Sequence, residues 1–273
     1  MMREASTAPE CARAEGTSAG YAALDLGTNN CRLLIASPTN HGFRVLDSFS
    51  RVVRLGEGLN GSGVLSEASM DRAVLALRAC AEKLSRRPPR RFEAVATEAC
   101  RQAANGAAFI ARVEAETGIR LRIISGREEA ELAMESCAPL LEAGDRRALL
   151  FDIGGGSTEI AWIRAPDQAG GMPELIGYIS LPIGVVTLSE RVGHACFTQA
   201  GFFAVVDEVA AQLEAFDRLH CIGQEIRAGG VRLMGTSGTV TTLAGVVMAL
   251  PRYRRPLVDG CTLDCDAADA ALG

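Results

Sequence analysis

The sequence predicts an α/β protein built as two related halves facing each other across a cleft. Three observations carry this. First, YAALDLGTNNCRLLIA (Tyr21–Ala36) and ALLFDIGGGSTEIAWI (Ala148–Ile163) share one design: an apolar run ending near an Asp, a turn of Gly and small polar residues, and a second apolar run. Second, each hairpin is followed by alternating strand-like and helix-like stretches, which is how mixed sheets flanked by helices are written. Third, 273 residues with 48% apolar content suffice for two cores of ordinary size.

Taken in order, residues 22–26 and 31–36 read as strands joined by the Gly-Thr-Asn-Asn turn, and 43–50 and 51–55 as further extended segments before GEGLNGSG. Ser66 caps a helix to about Leu84, with Ala73, Leu77, Cys80 and Leu84 at helical spacing. SRRPPRR (Ser85–Arg91) breaks the chain; its four arginines fit an exposed loop better than a substrate contact. Phe92–Ala96 is a short strand, TEACRQAANG leads into a helix ending near Gly118, and Leu121–Ile124 is a strand. SGREEAELA opens another helix, with Ser125 and Glu128 in capping-box register. After the second hairpin come the Pro/Gly segment SLPIGVV, a helix around 203–219, the strand VRLM and a helix opening after GTSGT.

Composition excludes several functions. The net charge of −5 gives no global basic field of the kind nucleic-acid binders show. Lys83 is the single lysine, so a Walker-type Gly-Lys-Ser/Thr loop is ruled out, and arginine forks and backbone amides are left as phosphate ligands. The nine cysteines are scattered and form no CxxC pair, which fits reduced thiols in a core better than zinc or disulfides. No signal-like segment opens the chain and no apolar run approaches membrane-spanning length, so a soluble, cytoplasmic protein is expected.

The glycine turns point to chemistry. Glycines let backbone N–H groups converge into an anion-binding concavity. A carboxylate at its mouth, Asp25 or Asp152, would repel phosphate unless a hard cation such as Mg²⁺ lies between them. A Rossmann loop does not fit, because these glycines run into a strand and not a helix. The third cluster, Gly235 to Thr239, does follow a strand and open a helix, a weaker anion-site signal. On a helical wheel after Ser125, Glu128, Glu131 and Glu135 share one side, whereas Glu129 falls among Leu132, Ala133, Ser136 and Leu140. A carboxylate placed so is either a misfit paired with an arginine or a base with a raised pKa. Arg101, preceded by Thr97 on a strand-to-helix turn, is either a phosphate fork or a surface arginine.

The segments DLGTNNCRLLI, VRLGEGL, ATEACRQAANG, IISGREEAELA, FDIGGGSTEI, SLPIGVVTL and MGTSGTVTTLA together resemble the exopolyphosphatase and guanosine pentaphosphate phosphatase family of the actin, sugar-kinase and heat-shock-chaperone superfamily. The resemblance spans about residues 21–260. It implies two actin-like (ribonuclease H-like) domains, 20–132 and 133–273, each a mixed sheet flanked by helices, with the active site in the interdomain cleft and residues 1–19 a disordered tail. It further implies Mg²⁺-dependent hydrolysis of the terminal phosphate of polyphosphate, or of the 5′ phosphate of guanosine pentaphosphate. The second Glu of the family's Gly-x-Glu-Glu-Ala motif, its catalytic base, matches Glu129. Its metal- and phosphate-linked acids match Asp152 and Glu159, joined in the metal set by Asp25 of the first hairpin. Its phosphate arginine matches Arg101, beside Thr97. Its glycine loops match Gly27, Thr28, Asn29 and Asn30; Gly154, Gly155, Gly156, Ser157 and Thr158; and Gly235, Ser237, Gly238 and Thr239. Family analogy points to a homodimer, with no membrane or nucleic-acid partner.

Two departures stand out. Val258-Asp259-Gly260 replaces a common Val-His-Gly, putting an anion where a cation is usual. Family members also continue beyond the end of this chain, so the second domain reads as truncated. The competing expectations are a non-catalytic polyphosphate or guanosine-nucleotide sensor, an inactive truncated fragment, and a kinase of the same superfamily.

Overall fold

The computed structural model describes residues 20–40, 42–168 and 171–272. The tail expected over residues 1–19 lies outside the described residues.

The first lobe contains β1 (Tyr21–Leu26), β2 (Asn30–Thr39), β3 (Gly42–Val52), α1 (Leu59–Ser62), α2 (Glu67–Arg86), β4 (Arg91–Ala96), α3 (Glu98–Gln102), α4 (Gly106–Thr117) and β5 (Arg122–Ile123). Its five strands run β3-β2-β1-β4-β5, with β1–β2–β3 antiparallel and β4 and β5 parallel to β1. Burial in β1 alternates: Ala22, Leu24 and Leu26 are buried while Tyr21 and Ala23 are exposed. That is the pattern of a strand with one face on a core. The core lies under α2, which begins at Ser66, whose side chain accepts from the Ser69 N–H, and buries Ala73, Leu77 and Cys80 completely. The extended segments expected at 43–50 and 51–55 form one strand that ends at Val52. SRRPPRR leads into the start of β4, where Arg91 pairs with Tyr21 at the start of β1. It therefore lies at the opposite end of the sheet from the Gly27–Asn30 turn.

The second lobe contains α5 (Gly126–Cys137), β6 (Arg147–Ile153), β7 (Thr158–Arg164), β8 (Glu174–Leu181), α6 (Val185–Val192), α7 (Gln199–His220), α8 (Ile222–Ala228), β9 (Val231–Thr236), α9 (Ser237–Val247), α10 (Arg255–Val258) and α11 (Cys265–Leu272). Its strands run β8-β7-β6-β9, with β9 parallel to β6 and the others antiparallel. The correspondence with β3-β2-β1-β4 is direct: both sheets repeat the hairpin together with a parallel strand beside it. This sheet is covered on both faces. Ala148, Leu150, Ala161 and Ile163 pack with Ala130, Met134 and Cys137 of α5, while Ile160 and Trp162 pack with Phe216 and Ile222 from the α7–α8 side. Both-face burial accounts for the unbroken apolar run in β7.

Helix α5 follows β5 of the first lobe yet packs on the second sheet, so a division at 132/133 falls inside it. Its capping box is formed: Glu128 N–H donates to Ser125 Oγ and Ser125 N–H to the Glu128 carboxylate, both at 3.2 Å. The wheel reading of this helix needs correction. Its buried stripe is Ala130, Met134 and Cys137, and Leu132 is half exposed. Among the described residues, no helix is long and apolar enough to cross a membrane.

Candidate active site

Each hairpin presents its Asp at the same place. Asp25 pairs with Arg32 across β1–β2, and Asp152 pairs with Glu159 across β6–β7. The first lobe thus offers an acid beside a base, and the second two acids side by side. Like charges directly opposite on neighbouring strands are unfavourable unless one is neutralised or a cation joins them.

The turns between these strands are oriented by segments that consume their carbonyls. In the first turn, the Asn29 carbonyl accepts from the N–H groups of Val53 (2.8 Å) and Arg54 (3.1 Å), and the Thr28 carbonyl from Gly56 (3.0 Å). In the second, the first turn of α6 does the same: Val185 donates to Gly154 (3.1 Å) and Val186 to Gly155 (2.8 Å). With the carbonyls held outward, the N–H groups of Thr28, Asn29, Gly155 and Gly156 find no acceptor among the described residues. Unpaired amides gathered on glycine turns form a concavity for anionic oxygens.

The two turns meet. A Cβ built on Gly156 would stand 2.6 Å from Thr28 Oγ1 and 3.2 Å from Glu98 Cγ, and one on Gly155 would stand 3.2 Å from Asn29 N. Only glycine permits that approach. Behind the second turn, a Cβ on Gly184 would stand 2.4 Å from the Gly155 carbonyl carbon.

Not every residue expected to bind phosphate has a free group. The Gly27 N–H closes its own turn on Asn30 O (2.9 Å), and Gly154 N–H closes on Ser157 O (3.0 Å). The hydroxyls of Thr158 and Thr239 donate to the Ile183 (2.6 Å) and Ile153 (3.2 Å) carbonyls. Asn30 opens β2, paired with Val52. Thr97 is buried at the start of α3, and the Cys100 and Arg101 N–H groups donate to its carbonyl. Ser157 and Ser237 serve the acids: their side chains hydrogen-bond Glu159 and Asp152, respectively. Gly235 packs against Phe151, and Gly238 faces Arg32, whose Nη2 would lie 3.5 Å from a Cβ there.

The acids converge electrostatically. Burial pushes Asp25 up to about 6; Arg32 opposes this and Asp152 adds to it. Asp152 is raised by burial against the pull of Ser237 and Arg32. Glu159 is raised by burial although Ser157 and Ser180 hydrogen-bond it, the Ser180 Oγ at 2.8 Å. Glu129, in the first turn of α5, is pushed up to about 8 by burial and then by Glu159, with Arg101 opposing and Asp152 and Asp25 adding. Arg101 faces Glu129 Oε2 through Nη1 and Nη2, each at 3.4 Å, and donates from Nη1 to the Ile124 carbonyl at 2.7 Å.

Three participants went unnoticed in the sequence. Arg32 follows from hairpin register, since a tight turn after Asp25 places it directly opposite. Ser180 stands opposite Glu159 in β8, a pairing that needs the third strand. Glu98 binds Arg101. A cavity of about 530 Å³ also opens between the lobes, lined by Glu57, Gly58, Asn60, Gly61, Glu190 and Arg191. None of the four acids lines it.

A model of the Ppx/GppA phosphatase family matches residues 34–260. Among solved structures, an exopolyphosphatase-like protein is 30% identical with a TM-score of 0.73, covering 93% of this chain and 76% of that one. An exopolyphosphatase from Cytophaga hutchinsonii is 27% identical at TM-score 0.73, covering 84% and 70%. The Ppx/GppA family member from Aquifex aeolicus is 25% identical at TM-score 0.67, covering 87% and 72%.

Proposed function

The chain belongs to the Ppx/GppA phosphatase family, and we propose that it is a Mg²⁺-dependent hydrolase that removes the terminal phosphate of polyphosphate or the 5′ phosphate of guanosine pentaphosphate. The observation that carries this reading is Glu129, a carboxylate raised by burial that faces Arg101 at 3.4 Å beside the buried Glu159, the half-buried Asp25 and Asp152, and two turns with unspent amides.

In this reading the amides of Thr28, Asn29, Gly155 and Gly156 and the Arg101 guanidinium hold the terminal phosphoryl oxygens. Glu129 accepts a proton from the attacking water and orients it in line with the scissile bond. Raised toward neutrality, its carboxyl is matched to proton transfer near physiological pH. Phosphoryl transfer of this kind passes through a loose transition state, so positioning and charge outweigh nucleophile strength.

The donor set suits a hard cation. Asp25, Asp152 and Glu159 would offer carboxylate oxygens, all raised by burial, with Arg32 and Arg101 the positive charges acting on them. Mg²⁺ usually takes one or two carboxylates and completes its shell with phosphate oxygens and water, so in this reading the ion draws on only part of this set. When bound there, Mg²⁺ would supply charge neutralisation on the phosphoryl oxygens.

The test is phosphate release from long-chain polyphosphate and from guanosine pentaphosphate, with and without Mg²⁺, for wild type and Glu129→Gln. Mg²⁺-dependent release that falls about 10²–10⁴-fold in the variant is expected, and the faster substrate names the activity. Binding without release from either substrate would overturn the hydrolase in favour of a sensor.

A further inference from the structure

Glu98 stands where the two lobes and the phosphate arginine meet. Its carboxylate is bound by Arg101 through Nη2 and by Gln102 through Nε2. The side chains of the Arg101–Glu98 pair are 25% and 12% exposed. On its other side, Glu98 Cγ would lie 3.2 Å from a Cβ built on Gly156, so it rests against the glycine turn of the second lobe.

The guanidinium is thus shared unequally. Glu98 makes the close ion pair, the Ile124 carbonyl takes Nη1 at 2.7 Å, and Glu129 stands off at 3.4 Å. One consequence follows from charge and geometry: a carboxylate and a phosphoryl group compete for the same guanidinium edge, because both accept from the N–H fork with paired oxygens.

We propose that Glu98 is a built-in counterion of Arg101 that an incoming phosphoryl group must displace. It therefore lowers the affinity of the site for phosphate and speeds release of the product anion. This rests on the reading of Arg101 as a phosphate ligand. Glu98→Gln keeps the shape and hydrogen-bonding oxygen but removes the competing charge.

The experiment is calorimetric binding of orthophosphate, in the presence of Mg²⁺, to wild type, Glu98→Gln, Arg101→Ala and the double variant. Glu98→Gln should bind about two- to fivefold more tightly than wild type, the range expected for one partly exposed ion pair. Arg101→Ala should bind more weakly, and Glu98→Gln should have no effect in its background. Should Glu98→Gln not fold, Glu98→Ala carries the same expectation. Binding by the Glu98 variant equal to or weaker than wild type overturns the proposal. So does an equal gain in the Arg101→Ala background, which would mark a general charge effect. If the thermodynamic cycle closes as expected while wild type releases no phosphate from either substrate, the counterion role stands and the hydrolase reading falls. If Arg101→Ala binds orthophosphate as wild type does, the counterion role falls with the phosphate role of Arg101.

Discussion

Glu129 is the residue whose surroundings cost the fold most visibly. Its carboxyl moves from an ordinary 4.5 to about 8, chiefly by burial and next by Glu159. A folded-state pKa above the unfolded value means the fold favours the protonated form. The contribution to stability is therefore whole below the ordinary value and is lost as pH rises through about 8. Glu129→Gln, neutral at every pH, should melt with wild type near pH 4. It should melt progressively above wild type as pH rises, the gap levelling off beyond about 8. Thermal denaturation across that range checks this. A gap independent of pH would mean the carboxyl is not desolvated in solution.

At the scale of elements, α6 and the segment after β3 do equivalent work, each taking the carbonyls of one glycine turn. Gly184 opens α6 against the Gly155 backbone, where an added Cβ would meet carbon and oxygen at 2.4 and 2.5 Å. Backbone cannot swing aside, so Gly184→Ala should cost about 1–3 kcal/mol and shift the second turn. A lower melting temperature and a more than tenfold loss of phosphate release are expected. Gly245, inside α9, has nothing within 4 Å of the same construction. Gly245→Ala should instead gain roughly 0.5–1 kcal/mol through helix propensity. Measuring both variants together separates a glycine required by close approach from one that is merely tolerated. In sequence the two look alike.

For the whole molecule, the candidate site residues are divided between lobes, with Asp25, Thr28, Asn29 and Arg101 on one and Glu129, Asp152, Gly155 and Glu159 on the other. A direct contact also crosses the lobes, from the Gly58 N–H to Glu190 Oε1 at 2.9 Å. A ligand that binds both sides should stabilise the folded chain by mass action, by about 2.7 kcal/mol at a hundredfold excess over Kd. Because the anion needs a cation among these acids, tripolyphosphate and Mg²⁺ together should raise the melting temperature by several degrees, more than the sum of their separate effects. Strictly additive shifts would place the two at independent sites.

Much of this was legible because it is local. The repeated Asp-and-glycine hairpins and the Ser66 and Ser125 caps follow from residue types at short spacing, where backbone geometry leaves few choices. Glu129 was singled out by a wheel whose apolar side was misassigned, for Leu132 faces outward and the true stripe is Ala130, Met134 and Cys137. What the sequence by itself determined is the two-lobed α/β plan and the family. Only the tertiary structure decided which amides remain unspent, which hydroxyls are consumed by backbone, and that Glu98 holds Arg101. The physical reason is that hydrogen-bond saturation and desolvation depend on every neighbour a group acquires, and those neighbours come from segments far apart in the chain.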